Sequence, residues 1–331
     1  MYWQERFSKL ELESNKAALK VKKEVAKEYD IAKKRIKEKL ALWYSKIKDF
    51  ADGKARLDKS ELKEFKLTVD EYIKVAKIEG LPPAWQKVLE RISARVHITR
   101  LEALELDISQ AVERLAVAEN NITASGLSNI YATSFYRTAF ELQKGLGVKV
   151  TFQGVDDKKL KTVINSEWSG KDFSSRVWEH KEKLKIALKS ELTQAIIQGE
   201  DYRGATERLA NKLETAKHAA GRLIMTEAAY ISNKARIDSL KELGCEEYEF
   251  IATLDNKTSA VCQSMDKKHF KITDFKAGIT APPMHPNCRS CIAPYFADAK
   301  DEERIGRDKR GRRKAFNGDI SYGEWLSEIN H

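Results

Sequence analysis

The sequence predicts a mainly α-helical protein with an elongated helical N-terminal region and a small α+β domain near its C-terminal end. Three observations indicate this fold class. Of the 331 residues, 33% are charged and 42% hydrophobic, with only 6 Pro and 16 Gly, a balance typical of long helices in contact with solvent. Apolar residues recur at helical spacing as far as Leu243. Beyond Gly244 the pattern changes to short alternating runs and a turn rich in proline and cysteine.

The helical part is expected to consist of several amphipathic helices separated by glycine and proline breaks. The first is predicted to be one long helix or two joined end to end, because apolar residues such as Val25, Ile36 and Trp43 keep one spacing throughout. A turn is predicted at Asn121 to Gly126, which combine cap-forming residues with a glycine. The predicted helices cover residues 2–50, 58–79, 84–120, 127–146, 173–198, 202–214 and 219–243.

The last third of the chain is predicted to contain short strands and a basic tail. Residues 248–253 alternate with period two, and residues 268–272 are expected to pair with them. A basic stretch then leads into a terminal helix with Trp325 and other aromatic residues. We therefore divide the chain into a long-helix region (1–150), a compact domain (151–297), and a basic tail with the terminal helix (298–331).

The net charge of +10 predicts affinity for polyanions, because lysine and arginine near a phosphate backbone release condensed counterions. Contacts with phosphates position a protein on double-stranded DNA without reading its sequence. The alternative is a solvated helix face, on which such charge runs are common. The DNA-contact candidates are Lys22, Lys23, Lys33, Lys34, Arg35, Arg310, Arg312 and Arg313.

The N-terminus lacks the basic start and apolar core of a secretory signal, and no apolar run approaches the roughly 18 residues of a membrane span. We therefore expect a soluble protein made in the cytosol, with no membrane partner. Three of the four cysteines lie in the last fifth of the chain beside a histidine, a distribution that favours metal binding or reduced thiols over a disulfide framework.

Four soft ligands surround the proline-rich turn: Cys262, His285, Cys288 and Cys291. Thiolates and imidazole complete the closed tetrahedral shell of a structural zinc, so the sequence predicts one such ion. His269 or Asp266 can replace one ligand in this interpretation. The alternative is a rigid turn fixed by its prolines, with the thiols buried as small apolar groups.

A polar network is expected beside this turn. Thr226 and Glu227 lie one turn after Arg222 on the same predicted helix, and we assign Asp255 to the network as well. A buried arginine–carboxylate pair would tie this helix to the Cys/His turn. The alternative is an exposed pair within the helix, which stabilises little.

Several sequence pieces occur in a fixed order from Gln198 onward. They are Gln198-Gly199 with Arg203, Leu209 and Leu213, then Gly221 to Ala228 with its Arg-x-x-x-Thr-Glu pattern, then Gly244, Asp255, Thr258, Cys262 and Asp266, and finally His285-Pro286-Asn287-Cys288-Arg289. In this combination the chain resembles the phage head morphogenesis, or minor head protein, family with a Mu F-like C-terminal domain. Two positions depart from the family pattern. Ser259 stands where many relatives have the first cysteine of a Thr-Cys-x-x-Cys step, and the final cysteine, Cys291, lies one residue later than in their Cys-Arg-Cys.

The resemblance implies a minor component of a tailed-phage head, present in the host cytoplasm during assembly and in the virion afterwards. Its expected partners are the portal protein, other capsid or scaffold proteins and double-stranded DNA. We expect it to act in procapsid assembly, and in DNA packaging or delivery, by binding rather than catalysis and without a small-molecule substrate. The alternative is a zinc-dependent enzyme acting on nucleic acid, or a toxin-like effector, carried in the head.

Overall fold

The computed structural model describes residues 3–149, 151–297, 303–308 and 310–330. It is 68% helical, with long helices in the N-terminal part and a few short antiparallel strands near the C-terminal end. The predicted fold class is therefore confirmed. Residues 2, 150 and 298–302, on which predicted boundaries fall, lie outside the described residues.

The helices and strands of the described residues follow one another in a simple order along the chain. They are α1 (Trp3–Tyr44), α2 (Phe50–Lys54), α3 (Lys59–Ile78), α4 (Pro83–Ser93), α5 (Arg100–Leu146), α6 (Asp157–Ile164), α7 (Phe173–Ile197), α8 (Tyr202–Glu242), β1 (Glu247–Ile251), α9 (Ala260–Met265), β2 (His269–Lys271), β3 (Cys291–Tyr295), β4 (Glu303–Arg307), β5 (Arg313–Asn317) and α10 (Tyr322–Asn330). No helix in the described ranges combines the length and the apolar composition needed to cross a bilayer.

The chain forms two compact units, each built from separate segments. The first unit contains residues 1–22, 123–173 and 222–331, and the second contains residues 23–122 and 174–221. Helices α1, α5 and α8 contribute residues to both units. The divisions expected after residues 150 and 297 stay predictions.

The second unit is helical and buries polar side chains along α5. The carboxylate of Asp107 accepts hydrogen bonds from the Trp43 indole at 2.9 Å and the Tyr72 hydroxyl at 2.6 Å. Farther along the same helix, the buried Glu113 pairs with Lys181 and Lys185, both at 3.0 Å. Buried polar groups are stable only with partners, so these contacts fix how the surrounding helices pack on α5.

The first unit has an apolar core in which the start of α1 packs with α8 and the sheet. Trp3 and Phe7 of α1 pack with Ile237 of α8 and with Tyr248 and Ile292 of the sheet. The three-stranded antiparallel sheet has the order β2-β1-β3. The predicted pairing of the two strands after Gly244 is confirmed, since residues 247–249 of β1 lie opposite residues 269–271 of β2. Strand β3 is not predicted by the sequence, Cys-Ile-Ala-Pro-Tyr. It contains a proline, and its alternation of side chains is too short to identify a strand.

The predicted basic tail forms a β-hairpin, β4–β5, followed by the expected terminal helix α10. Gly311 has φ +75° in the connecting turn, a conformation that glycine adopts at low cost. Asp308 supports the turn by accepting hydrogen bonds from the backbone N–H groups of Arg310 and Arg312, both at 2.9 Å. Phe316 of β5 packs against Trp325 of α10, which gives the hairpin a small core of its own.

A buried ion pair joins this hairpin to the chain after α9. The guanidinium of Arg304 makes two hydrogen bonds to the carboxylate of Asp266, at 2.8 and 2.6 Å, and donates to the carbonyls of Ala252 and Ile320, both at 2.8 Å. The second oxygen of Asp266 also accepts from the N–H of Tyr322 at 2.9 Å. Charged groups this deeply buried are stable only when they are fully paired, and these two are.

Several predicted helix boundaries are wrong. The turn predicted at Asn121 to Gly126 lies inside the continuous helix α5, and the helices predicted at 202–214 and 219–243 form the single helix α8. A Cβ at Gly126 would lie 2.3 Å from a methyl carbon of Val21, so this glycine allows α5 and α1 to approach closely within the first unit. It is a packing glycine that sequence alone does not distinguish from a helix-ending one. The helix predicted over residues 84–120 is interrupted after Ser93.

Candidate metal centre

The candidate metal centre in the first unit is formed by helix α9 and the proline-rich turn. Ser259 caps α9, its hydroxyl accepting a hydrogen bond from the N–H of Cys262 at 3.3 Å, and so places the Cys262 thiol in the first turn of the helix. In the proline-rich turn the N–H of Cys288 donates to the carbonyl of His285 at 3.2 Å. Asn287 between them adopts φ +58°, which asparagine tolerates better than most residues. The turn therefore brings the His285 ring and the Cys288 thiol to the same side.

Three of the four predicted ligands lie together. The ligand atoms of Cys262, His285 and Cys288 are all within 4.8 Å of one another. The Cys262 sulfur is 3.6 Å from the Cys288 sulfur and 3.4 Å from Nε2 of His285. With Zn–S bonds of about 2.3 Å and tetrahedral angles, two thiolates on one zinc are roughly 3.8 Å apart, so the spacing fits a zinc ion with little rearrangement.

The histidine is oriented as a metal ligand requires. Nδ1 of His285 lies 2.9 Å from the carbonyl oxygen of Pro286. Because a carbonyl can only accept, Nδ1 carries the proton and donates, which leaves the lone pair on Nε2 facing Cys262. A backbone carbonyl that fixes the ring through its other nitrogen is a common feature of histidine ligands in metal sites.

The two cysteine side chains share one proton, which stays on Cys288 rather than on Cys262. The hydrogen bond from the Cys288 thiol, reinforced by the hydroxyls of Ser259 and Ser290 and by His285, lowers the pKa of Cys262 to about 5 against the opposing effect of burial. The same hydrogen bond to Cys262, together with burial, raises the pKa of Cys288. One thiolate is therefore already favoured in the folded protein, and metals bind thiolates rather than thiols.

The fourth predicted ligand, Cys291, does not lie at this cluster. It is the first residue of β3, and its buried thiol faces the carbonyl of Phe7 at 3.8 Å. Ser290 instead presents its side chain to the Cys262 sulfur. Successive side chains of an extended chain point to opposite sides, so a one-residue shift moves the thiol from the cluster to the apolar core.

The two substitute ligands are also engaged elsewhere. The carboxylate of Asp266 is bound to Arg304, and the ring of His269 stacks on that of Tyr295 with 3.8 Å between centroids. Among the described residues, the group of side chains able to hold a metal therefore consists of Cys262, His285 and Cys288.

The predicted polar network is divided into separate contacts. Thr226 on α8 accepts a hydrogen bond from the N–H of Asn287 at 3.1 Å and so connects its helix to the Cys/His turn. The buried Glu227 accepts one from the indole of Trp168 at 2.9 Å. The Arg222 side chain is exposed and makes no ion pair within the described ranges. The link between α8 and the turn is thus present, but a threonine hydroxyl forms it rather than an arginine–carboxylate pair.

Asp255 supports the turn from its other side. Its carboxylate accepts two hydrogen bonds from the guanidinium of Arg289, the residue after the second thiol ligand. Although burial opposes it, the hydrogen bond and charge of Arg289 keep the pKa of Asp255 below its ordinary value. Thr226 and Asp255 therefore hold residues on both sides of Cys288.

Residues 187–293 match the phage Mu protein F like family. Comparisons with curated proteins and with solved structures gave no match. The Mu F-like region runs from within α7 into β3 and includes the three clustered ligands together with Thr226 and Asp255.

The sequence did not predict the roles of two residues, of which one lies in the Mu F-like region and the other just outside it. Ser290 contacts the Cys262 thiol, and its position between two cysteines was the available signal. Arg304, just outside the region, looks by sequence like one more basic residue of the tail, although its side chain is only 2% exposed. Charge counting cannot reveal a buried arginine.

The DNA-contact candidates on α1 differ in exposure. Lys22, Lys23 and Lys34 are exposed, whereas Lys33 and Arg35 are half-buried. Burial and the charge of Arg114 lower the pKa of Arg35. The three exposed lysines are therefore the better candidates on this helix.

The candidates on the β4–β5 hairpin are all exposed. Arg312 forms an ion pair with Asp308 at 3.0 Å. Arg310 and Arg313 form no ion pair within the described part of the chain, so their charges are available to a phosphate.

Proposed function

We propose that this protein is a minor component of a phage head that acts beside the portal protein during head assembly, by binding rather than catalysis. The match of residues 187–293 to the phage Mu protein F like family carries this proposal. In this role it works in the host cytoplasm during assembly and remains in the virion, where it contacts the portal, other capsid or scaffold proteins and the packaged DNA.

The proposed metal is one zinc ion held by Cys262, His285 and Cys288. Zinc there supplies folding energy, about 10 to 16 kcal/mol of apparent binding energy in small zinc domains. The local apolar cluster is small, consisting of Phe250, Ala252 and the two thiol residues with a few half-buried neighbours. A crosslink between α9 and the proline-rich turn is what so small a cluster needs, which supports a structural role.

DNA binding is proposed to be electrostatic and independent of sequence. The net charge of +10 and the free charges of Arg310 and Arg313 support it. Each phosphate contact releases counterions, so affinity for any duplex should fall linearly with the logarithm of salt concentration. Replacing Arg310 with Gln should weaken binding to all sequences alike and reduce the salt slope by about one. Equal binding by the variant and wild type would exclude this arginine as a phosphate contact.

Two experiments test the assembly role: the protein composition of purified heads, and co-purification with the portal. We expect mass spectrometry of purified heads to detect the protein at low copy number. We also expect co-expression with the portal of the same phage to yield a complex that survives size-exclusion chromatography. Heads that lack the protein, together with folded protein that stays apart from the portal at low salt, would contradict the proposal.

A second candidate function is a zinc-dependent enzyme acting on nucleic acid. Three protein ligands leave one position of a four-coordinate zinc for water, the arrangement of catalytic zinc sites. Incubation of the zinc-loaded protein with DNA and RNA decides between the two. Cleavage that is lost in Cys288→Ser, while the variant stays folded, would favour the enzyme, and absence of activity supports binding.

A further inference from the structure

The first unit contains a cavity of about 360 Å³ that is separate from the Cys/His cluster. One wall is the face of α1 that carries Ser8, Leu12 and Asn15, residues spaced three or four apart. A second wall is the chain from Ile251 to Leu254, and a third is the β4–β5 hairpin. The volume lies within the range of small-molecule sites, about 300 to 1,000 Å³.

The hairpin presents two different faces. Ile305 lies opposite Ala315, and Arg307 lies opposite Arg313, in the antiparallel register. Directly opposed residues share a face, and these four line the cavity. Phe316 belongs to the other face, which packs on the core around α10. The cavity face of the hairpin therefore carries an apolar pair followed by a pair of arginines.

The cavity has more positive than negative charge. Its charged lining residues are Lys9, Arg289, Arg307, Arg313, Lys314, Glu5 and Glu11. Both acids already have partners, since Glu5 pairs with Lys9 at 2.5 Å and Glu11 pairs with the buried Arg236 at 2.7 Å. Of the basic residues, Lys9, Arg289 and Lys314 also pair with carboxylates. The Arg307 side chain donates to the carbonyl of Gly311, at 2.7 Å, and within the described residues neither Arg307 nor Arg313 pairs with a carboxylate.

The opposed arginines point to an anionic ligand. Like charges directly opposite on paired strands are destabilising unless something neutralises them. Guanidinium groups bind phosphate and carboxylate oxygens through paired hydrogen bonds. Two guanidinium groups match the charge of a phosphate monoester, which approaches two negative charges at neutral pH, better than the single charge of a carboxylate.

We propose that this cavity binds an organic phosphate of mononucleotide size. Arg307 and Arg313 hold the phosphate group, and the rest of the ligand packs against Leu12 and Ile305. The phosphate can come from a free nucleotide or from the phosphorylated end of a DNA strand. The proposal goes beyond the head-assembly role, for which the sequence analysis expects no small-molecule substrate.

The test is calorimetric titration of the full-length protein with deoxyadenosine monophosphate, and with a duplex carrying or lacking a 5′-phosphate. Deoxyadenosine is the control without phosphate. We expect saturable binding of the phosphorylated ligands and none of deoxyadenosine.

Arg307→Gln and Arg313→Gln should each weaken the binding of deoxyadenosine monophosphate about tenfold or more, the usual effect of losing a charge-assisted hydrogen bond. The matched control is Arg310→Gln, an exposed arginine of the same hairpin that does not line the cavity, and it should bind deoxyadenosine monophosphate as wild type does.

Binding of the free nucleotide, or tighter binding of the duplex with a 5′-phosphate than of the duplex without one, supports the proposal and identifies the source of the phosphate. Failure of the free nucleotide to bind at millimolar concentration, together with equal binding of the two duplexes, would overturn it. So would equal losses of nucleotide binding in Arg310→Gln and Arg313→Gln, because general attraction to a basic surface would then explain the binding. Without ligand, Arg313→Gln should melt at the same temperature as wild type or higher, whereas a structural arginine would lower it. Portal association is measured separately, and Arg313→Gln should leave it unchanged.

Discussion

The side chain of Ser290 faces Cys262 and helps to lower the pKa of its thiol, whereas the thiol of the next residue, Cys291, points away into the apolar core. This relationship explains why three of the predicted ligands cluster and Cys291 does not. It also shows where a fourth ligand would have to lie.

Ser290→Cys should therefore strengthen metal binding. A thiolate at this position would complete a closed shell of three sulfurs and one imidazole nitrogen, which zinc prefers in structural sites. We expect zinc affinity, measured by competition with a chelator, to rise at least about tenfold, or about 1.4 kcal/mol. Ser264→Cys is a control on the exposed end of α9 and should leave the affinity unchanged. Equal affinities of Ser290→Cys and wild type would mean that position 290 does not face the ion.

Thr226 should affect the metal site from α8. Its hydroxyl accepts the N–H of Asn287, in the turn that positions two ligands. Thr226→Val removes this acceptor without changing the side-chain shape, and we expect about tenfold weaker zinc binding, as for other groups that orient metal ligands. Thr226→Ser keeps the hydroxyl and should bind zinc like wild type. If valine and serine behave alike, the contact does not position the turn.

The ion pair between Asp266 and Arg304 should be among the most sensitive sites in the first unit. Asp266→Asn leaves a buried guanidinium without its counter-charge, and we expect a loss of about 3 to 5 kcal/mol in the free energy of unfolding, measured by denaturant titration. The matched control is Asp308→Asn, which breaks an exposed ion pair with Arg312 on the same hairpin. It should change stability little. Similar losses in both variants would contradict the structural importance of the buried pair.

The buried Glu119 should make the stability of the second unit depend on pH. Burial raises its pKa from 4.5 to about 7, against the opposing hydrogen bond from Tyr29. The folded state thus binds the proton more tightly than the unfolded state, and the associated stability is complete below about pH 4.5 and lost as pH rises through about 7. Glu119→Gln cannot ionise. Its unfolding free energy relative to wild type should rise by up to about 3 kcal/mol across this interval. A difference that does not change with pH would contradict the assignment.

The sequence predicted the helices well where apolar residues kept one spacing, as along α1 and α7. It failed at Gly126, because a glycine required by the nearness of Val21 looks the same in sequence as one that ends a helix. It also missed the β4–β5 hairpin, since a run of basic residues hides the alternation in which Phe316 packs inward. Such features depend on tertiary contacts rather than local pattern.

The metal site was predictable in its residue types but not in its exact members. Cysteine and histidine near prolines predicted ligands, and three of them cluster. Which of Ser290 and Cys291 faces the cluster depends on where β3 begins, and this register is set by pairing with β1.

We propose that Cys262, His285 and Cys288 bind a metal ion without Cys291. Elemental mass spectrometry of purified protein tests it directly, with wild type beside Cys262→Ser, Cys288→Ser and the control Cys291→Ser, each checked for folding by circular dichroism. We predict one zinc per chain in wild type and in Cys291→Ser, and its loss in the other two variants. Absence of metal from folded wild-type protein purified without chelators, or loss of zinc in Cys291→Ser as complete as in Cys262→Ser, would contradict the account.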